Sequence, residues 1–213
     1  MPFVLTVDQI DSRTSPDLVD RTLARLSSIA VQRRFARTVG DEFQGLLEEP
    51  LSVVDAILLL MREDTWHIGL GIGPIELPLP RQGLRAARGA ALLAAREAVE
   101  QAKSEPSHLV VASSRAVEPE AADVQAVFRV TGAVRRRRTA AGWEVTDLLD
   151  QGLTQQEVAQ RLGVSRQAVG QRAQAAQWAL DGEVIPTLTR LLGHAECASM
   201  GLGAERASMG GPR

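Results

Sequence analysis

The sequence predicts a mixed α+β fold in two parts, a sheet-and-helix portion followed by an all-helical one. Three observations carry this expectation. From Phe3 to about Ala112, apolar runs of strand length alternate with apolar positions at helical spacing. Beyond Glu118 the apolar stretches keep helical spacing only. Finally, a tight arrangement of cap residues, a small residue, a glycine and a β-branched residue lies between Thr154 and Ala175. At 213 residues, 45% hydrophobic and 23% charged, the chain is long and apolar enough to bury a core.

Phe3-Val4-Leu5-Thr6-Val7 reads as a short buried strand. Ser15-Pro16 reads as an N-cap with proline at the first helical position, and Leu18, Val19, Leu23, Leu26 and Ile29 continue at helical spacing. Residues 33–39 and 43–47 read as two strands around the turn Gly40-Asp41-Glu42. Pro50 opens a second helix with Val53, Val54, Ile57, Leu58 and Met61 on its buried side. Trp66 to Ile72 reads as a strand in which Gly69, Gly71 and Gly73 imply close backbone approach; their spacing is not that of a dinucleotide-binding loop. A loop with Pro74, Pro78 and Pro80 leads to a third helix from about Leu84 to Lys103. Its alanines, among them Ala86, Ala87, Ala90, Ala91, Ala94 and Ala95, suit tight packing on a sheet. Leu109 to Ala112 closes the series as a strand. The order is βαββαβ with one further helix and strand, which is ferredoxin-like and predicts a mainly antiparallel sheet with helices on one face.

In the C-terminal part, Thr154-Gln155-Gln156-Glu157 has capping-box form. Val158, Ala159 and Leu162 face inward, Gly163 allows a left-handed stop, and Ser165 caps a second helix with Ala168 and Val169 turned in. Ala159 must be small where the second helix crosses, and Val169 fills the angle between the helices. This spacing resembles the helix-turn-helix strongly; the alternative is a plain helical hairpin with a solvated polar side. Trp143, Val145, Leu148 and Leu149 supply a first helix and complete a three-helix unit. Ser165, Arg166, Gln167 and Gln171 then lie on the outer side of a recognition helix, where arginine pairs with guanine and glutamine with adenine. Arg161 and Arg172 are expected at phosphates. The run Arg135, Arg136, Arg137 and Arg138 has two readings, a solvated helix face or further phosphate contacts that add affinity without sequence preference. Val184, Ile185, Leu188, Leu191 and Leu192 form one more amphipathic helix, for the local core or for a second subunit. One recognition helix per chain favours a homodimer on double-stranded DNA.

The expected boundaries are a ferredoxin-like domain at 1–117, a helical linker at 118–138, an all-α helix-turn-helix domain at 139–192 and a disordered tail at 193–213. The tail is dominated by Gly, Ala, Ser and Met, with Ala-Ser-Met-Gly at 198–201 and again at 207–210.

Asp8 and Asp11 follow the first strand, and Asp41 sits in the hairpin. These acids have two readings, turn chemistry or a Mg²⁺ site that holds nucleotide phosphates. The arrangement resembles the palm of class III nucleotide cyclases and diguanylate cyclases, which implies Asp8 and Asp41 as metal ligands and a nucleotide as ligand. Val39 stands where the diguanylate cyclase signature has its first glycine, and the sequence contains no asparagine, a residue that class III enzymes use in catalysis. The chain is more closely similar to the SatD-like family of bacterial proteins. That likeness is carried by Val7-Asp8-Gln9-Ile10-Asp11-Ser12-Arg13, by Thr38-Val39-Gly40-Asp41-Glu42-Phe43-Gln44-Gly45, by the glycine-rich strand and by Ala95-Arg96-Glu97-Ala98. It spans about residues 3 to 192 and implies a cyclase-palm-like domain before the helix-turn-helix. The expectation is a DNA-binding transcriptional regulator whose palm senses a ligand or dimerises. A Mg²⁺-dependent nucleotide-binding or cyclase-like enzyme is the alternative.

Composition narrows the field. Cys197 is the only cysteine, so an intramolecular disulfide and a thiolate zinc site are excluded. His67, His108 and His194 are far apart in sequence and suggest no metal cluster. Ala56 to Met61, an apolar run that no other in the chain exceeds, is too short to span a bilayer, and the N-terminus lacks a basic leader; a cytoplasmic protein is expected. Three Trp, four Phe and no Tyr disfavour base stacking on single strands. The net charge of −2 is unevenly spread: residues 1–134 hold 14 basic and 18 acidic side chains, and residues 135–180 hold 7 and 4.

Overall fold

The computed structural model describes residues 3–81, 83–113 and 118–199. It is a mixed α+β protein with one five-stranded sheet and eight α-helices among these residues. In chain order they are β1 (Phe3–Gln9), α1 (Val19–Leu26), β2 (Arg33–Arg37), β3 (Phe43–Leu47), α2 (Pro50–Glu63), β4 (Trp66–Ile72), a 3-10 turn (Leu84–Ala86), α3 (Ala90–Ala102) and β5 (Leu109–Ser113). Then follow α4 (Glu118–Arg135), α5 (Ala140–Asp150), α6 (Gln155–Leu162), α7 (Arg166–Ala175) and α8 (Trp178–Ser199). The strand order is β2-β3-β1-β4-β5. The first four strands are antiparallel neighbours and β5 is parallel to β4. Leu5 of β1, for example, sits between Gly45 of β3 and Leu70 of β4.

Alternation along the strands makes two apolar faces. Phe3, Leu5, Val7, Phe43, Ile68, Leu70 and Leu109 point to one side, where they meet α1, α2, α4 and α8 in the main core. Val4 and Leu46 point to the other, against Leu84, Ala91, Leu92 and Ala95. Helices therefore cover both faces, not the single face that the element order predicts. The cause is the glycine-rich strand. A Cβ on Gly71 would lie 2.1 Å from the Ala91 carbonyl oxygen, and one on Gly69 would lie 2.4 Å from both the Ala95 carbonyl oxygen and the Val99 nitrogen. These two positions form a trough in which the backbone of α3 rests directly on β4. The topology carries a further consequence. β3, β4 and β5 run the same way, and the connections through α2 and α3 step in the same lateral direction. Because those helices lie on opposite faces, the two crossovers have opposite hands, although right-handed connections strongly predominate.

Several boundaries differ from expectation for local reasons. α1 starts at Val19, not after Ser15, because the buried Gln9 side chain holds the preceding loop. Its Nε2 donates to the Pro16 carbonyl at 2.8 Å, and its Oε1 accepts from the Leu18 amide at 2.9 Å. Ala86 and Ala87 fall outside α3, which begins only after Gly89. That residue has φ 143° and passes so close to Ile75 that a Cβ would lie 2.6 Å from its Cα.

Residues 118–135 are no linker. Ala121, Val124 and Phe128 of α4 are buried in the main core. The expected tail is corrected as well: α8 continues through Gly193 to Ser199, with Ala195 and Ser199 buried. Residues 200–213, with the second Ala-Ser-Met-Gly, lie outside the described residues. Leu188 and Leu192 of α8 also join the main core, so this helix completes the local packing. No helix among the described residues is long and apolar enough to cross a membrane.

Candidate nucleic-acid interface

The segment around α6 and α7 is built as its sequence pattern requires. Thr154 caps α6: its hydroxyl accepts from the Glu157 amide at 3.3 Å, and the Glu157 carboxylate accepts from the Thr154 amide at 2.7 Å. The Thr154 amide, and then the Thr154 hydroxyl, donate to the Glu157 carboxylate and hold its pKa below the ordinary value. Gly163 ends the helix at φ 65°, in the left-handed region, and the Ser165 hydroxyl accepts from the Ala168 amide at 3.1 Å to start α7. Val145, Leu149, Val158, Ala159, Val169 and Ala173 form a separate small core, with Leu148, Leu162, Val164 and Trp178 packed around it. α5, α6 and α7 are thus a three-helix unit with its own apolar centre.

On the outside of this unit Arg161, Ser165, Arg166, Gln167 and Gln171 are exposed and Arg172 is half-buried. Apart from the Ser165 cap, none of these side chains has a hydrogen bond or ion pair among the described residues. Uncommitted arginine and glutamine side chains along one exposed helix retain all their donors for an external acceptor.

The arginine run divides. Arg136 and Arg137 are exposed, but Arg138 is 7% exposed and Arg135 is half-buried. Arg138 donates from Nε to the Ala176 carbonyl at 2.7 Å, and its Nη1 lies 2.9 Å from Asp181 Oδ2. Arg135 lies 4.0 Å from the same carboxylate oxygen. Burial lowers the pKa of Arg135 from its ordinary value, opposed by the attraction of Asp181. Arg135 and Arg138 are therefore corrected from phosphate contacts to structural residues at the junction between α4, α5 and α8.

Sequence reasoning missed the centre of that junction. The Trp143 ring has three guanidinium carbons near its centroid: Arg62 at 4.1 Å, Arg138 at 4.8 Å and Arg135 at 5.2 Å. Arg62 of α2 also grips Asp147 of α5 with two bonds of 2.6 and 2.8 Å. Trp178 Nε1 donates to Asp150 at 2.7 Å. The three-helix unit is thus locked to α2 and α8. The pairing of Arg62 with residues some 80 positions later was not legible in the sequence.

Two of the acidic residues lie at one end of the sheet. Asp8 is one residue past the last β1–β3 pair, and Asp41 lies in the hairpin before Phe43, so both sit at the same end of the sheet. Asp8 shares the α3 side of β1 with Thr6 and Val4, and its carboxylate pairs with Lys103 at the end of α3 at 3.3 Å. Among the described residues no group of three or more His, Cys, Asp or Glu stands at metal-binding distance. Mg²⁺ at a nucleotide takes one or two carboxylates together with waters and phosphate oxygens, and one of these two carboxylates already pairs with an ammonium group. Asp11 adopts φ 53°, and its carbonyl accepts from the Thr14 and Ser15 amides, which is turn chemistry.

Beside Asp8, the structure brings together two histidines far apart in sequence. His67 Nδ1 and His108 Nδ1 are 3.3 Å apart, with the rings edge to face. Burial, then the neighbouring His108, lowers the His67 pKa from its ordinary value.

Comparison of the chain with protein-family models, with curated proteins and with solved structures finds no match.

Proposed function

We propose that the protein binds double-stranded DNA through α7 and acts as a transcriptional regulator. The observation that carries this reading is the exposed, uncommitted row Arg166, Gln167 and Gln171, on a helix whose start is fixed by the Gly163 turn and the Ser165 cap. In this reading Arg166, Gln167, Gln171 and Ser165 face base edges in the major groove, and Arg161, Arg172, Arg136 and Arg137 contact phosphates. Arg166 at the first turn of α7 is placed as recognition helices place their base-reading residues.

The sheet domain is read as ferredoxin-like and of the cyclase-palm kind, and the chain as related to the SatD-like family. Support comes from the antiparallel order β2-β3-β1-β4 and from the Gly40-Asp41-Glu42-Phe43 hairpin beside β1. In this reading the palm is a sensing or dimerisation domain. A homodimer would place two α7 helices on successive half-sites. The test is capture of fragmented genomic duplex DNA by the full chain, followed by sequencing. The reading requires enrichment of discrete duplex sites; recovery no better than with an Arg166→Ala variant contradicts it.

A further inference from the structure

Between the edge of the sheet and the strap that follows β4 lies a cleft of about 130 Å³. Its polar lining is Arg33, Arg34, Arg37, Arg85, Thr38 and Gln44. Four arginines and no acidic residue line this cleft. Two of the arginines stitch the strap to the sheet: Arg33 donates to the Pro80 carbonyl at 3.1 Å and Arg85 donates to the Thr38 carbonyl at 3.1 Å. Each such bond uses one of five donors and leaves the charge uncompensated. Arg37 is neutralised by Asp17 and Asp20, but Arg33, Arg34 and Arg85 form no ion pair among the described residues.

A second observation comes from the sheet side of the cleft. Gln44 is 1% exposed. Its Nε2 lies 3.1 Å from the Thr6 hydroxyl oxygen, while its Oε1 is buried without a partner. An amide turned over by half a rotation has the same shape. In that orientation the Thr6 hydroxyl donates to Oε1, and the Nε2 hydrogens are left seeking an acceptor. An anion able to reach that nitrogen would supply it, and would supply the countercharge that the arginines lack.

We propose that this cleft between β2, β3 and the Gly83–Arg85 strap binds a compact phosphate-class anion, held by Arg33, Arg34 and Arg85 with the Gln44 amide. Planar guanidinium forks suit phosphate oxygens, and each charge-assisted bond is stronger than a neutral one. The shared chemistry has two sources, a small phosphate compound or a DNA backbone phosphate. The volume of about 130 Å³ favours the small one. The site stands independently of the DNA-binding reading.

The test is calorimetric titration of the full chain with inorganic pyrophosphate, without divalent cations. Saturable binding is expected, weakened about tenfold or more in Arg85→Gln and in Arg34→Gln and unchanged in Arg190→Gln on α8. Arg34 forms no hydrogen bond or ion pair among the described residues, so its variant remains informative if Arg85→Gln fails to fold. Absence of binding at about 1 mM pyrophosphate overturns the proposal. So does equal binding by folded Arg34→Gln. A loss of duplex-DNA affinity in Arg34→Gln as large as in Arg166→Gln assigns the cleft to backbone phosphate and overturns the small-anion site.

Discussion

Arg138 and Arg137 are neighbours of the same type with opposite fates. Arg138 is buried, bonded to the Ala176 carbonyl and paired with Asp181, while Arg137 is exposed. Removing one partner of a buried pair strands the other charge. Arg138→Ala is expected to cost about 3 kcal/mol or more in denaturant unfolding, and Arg137→Ala less than about 0.5 kcal/mol. Equal effects would contradict the division of the arginine run. Nothing in four identical letters reveals which of them turn inward. That is decided by α8, which delivers Asp181 from more than forty residues away. The capping residues were legible by contrast, because Thr154, Glu157, Ser165 and Gly163 act on backbone groups within a few positions of themselves.

Glycine shows the same contrast between elements. Gly163 needs only its left-handed φ, since a Cβ there meets nothing within 4 Å. Gly71 needs the absence of a Cβ altogether, because the α3 backbone occupies that space. Gly163→Ala is therefore expected to cost about 1 kcal/mol, and Gly71→Ala at least twice that, in equilibrium unfolding. The reverse order would contradict the trough described for β4. Close approach at Gly69 and Gly71 could be read from spacing in the strand, and so could the alanines of α3. The face on which α3 lands could not, because the long connection from Gly73 to Gly89 leaves either side of the sheet open. The strands suffered least: β3 has the expected bounds, since alternation and a turn fix it locally.

For the whole molecule, α8 joins the two parts. Its start belongs to the small core through Trp178, and its later turns belong to the main core through Leu188, Leu192 and Ala195. The low-complexity composition after Leu192 suggested disorder, yet small residues suit a helix packed closely on its neighbours. Deleting residues 193–213 is expected to lower stability by about 1–2 kcal/mol, since it removes the buried Ala195 and Ser199; an unchanged midpoint would restore the disordered tail. The same joint holds the three-helix unit against α2, through Arg62, Asp147 and Trp143. The exposed face of α7 is thereby presented on a fixed platform. Of the arginine run only Arg136 and Arg137 remain for phosphates, so the non-specific component of binding should be modest.

The measurement that tests the central claim most directly is fluorescence anisotropy of a genomic duplex site, titrated with the wild-type chain, Arg166→Ala and Arg137→Ala at several salt concentrations. The expected result for wild type is binding that weakens with salt. Arg166→Ala should lose about 1–3 kcal/mol of discrimination between the site and unrelated duplex, and Arg137→Ala should weaken both alike with a salt slope smaller by about one. Wild-type binding that is absent at low salt, or discrimination that survives intact in Arg166→Ala, would contradict it.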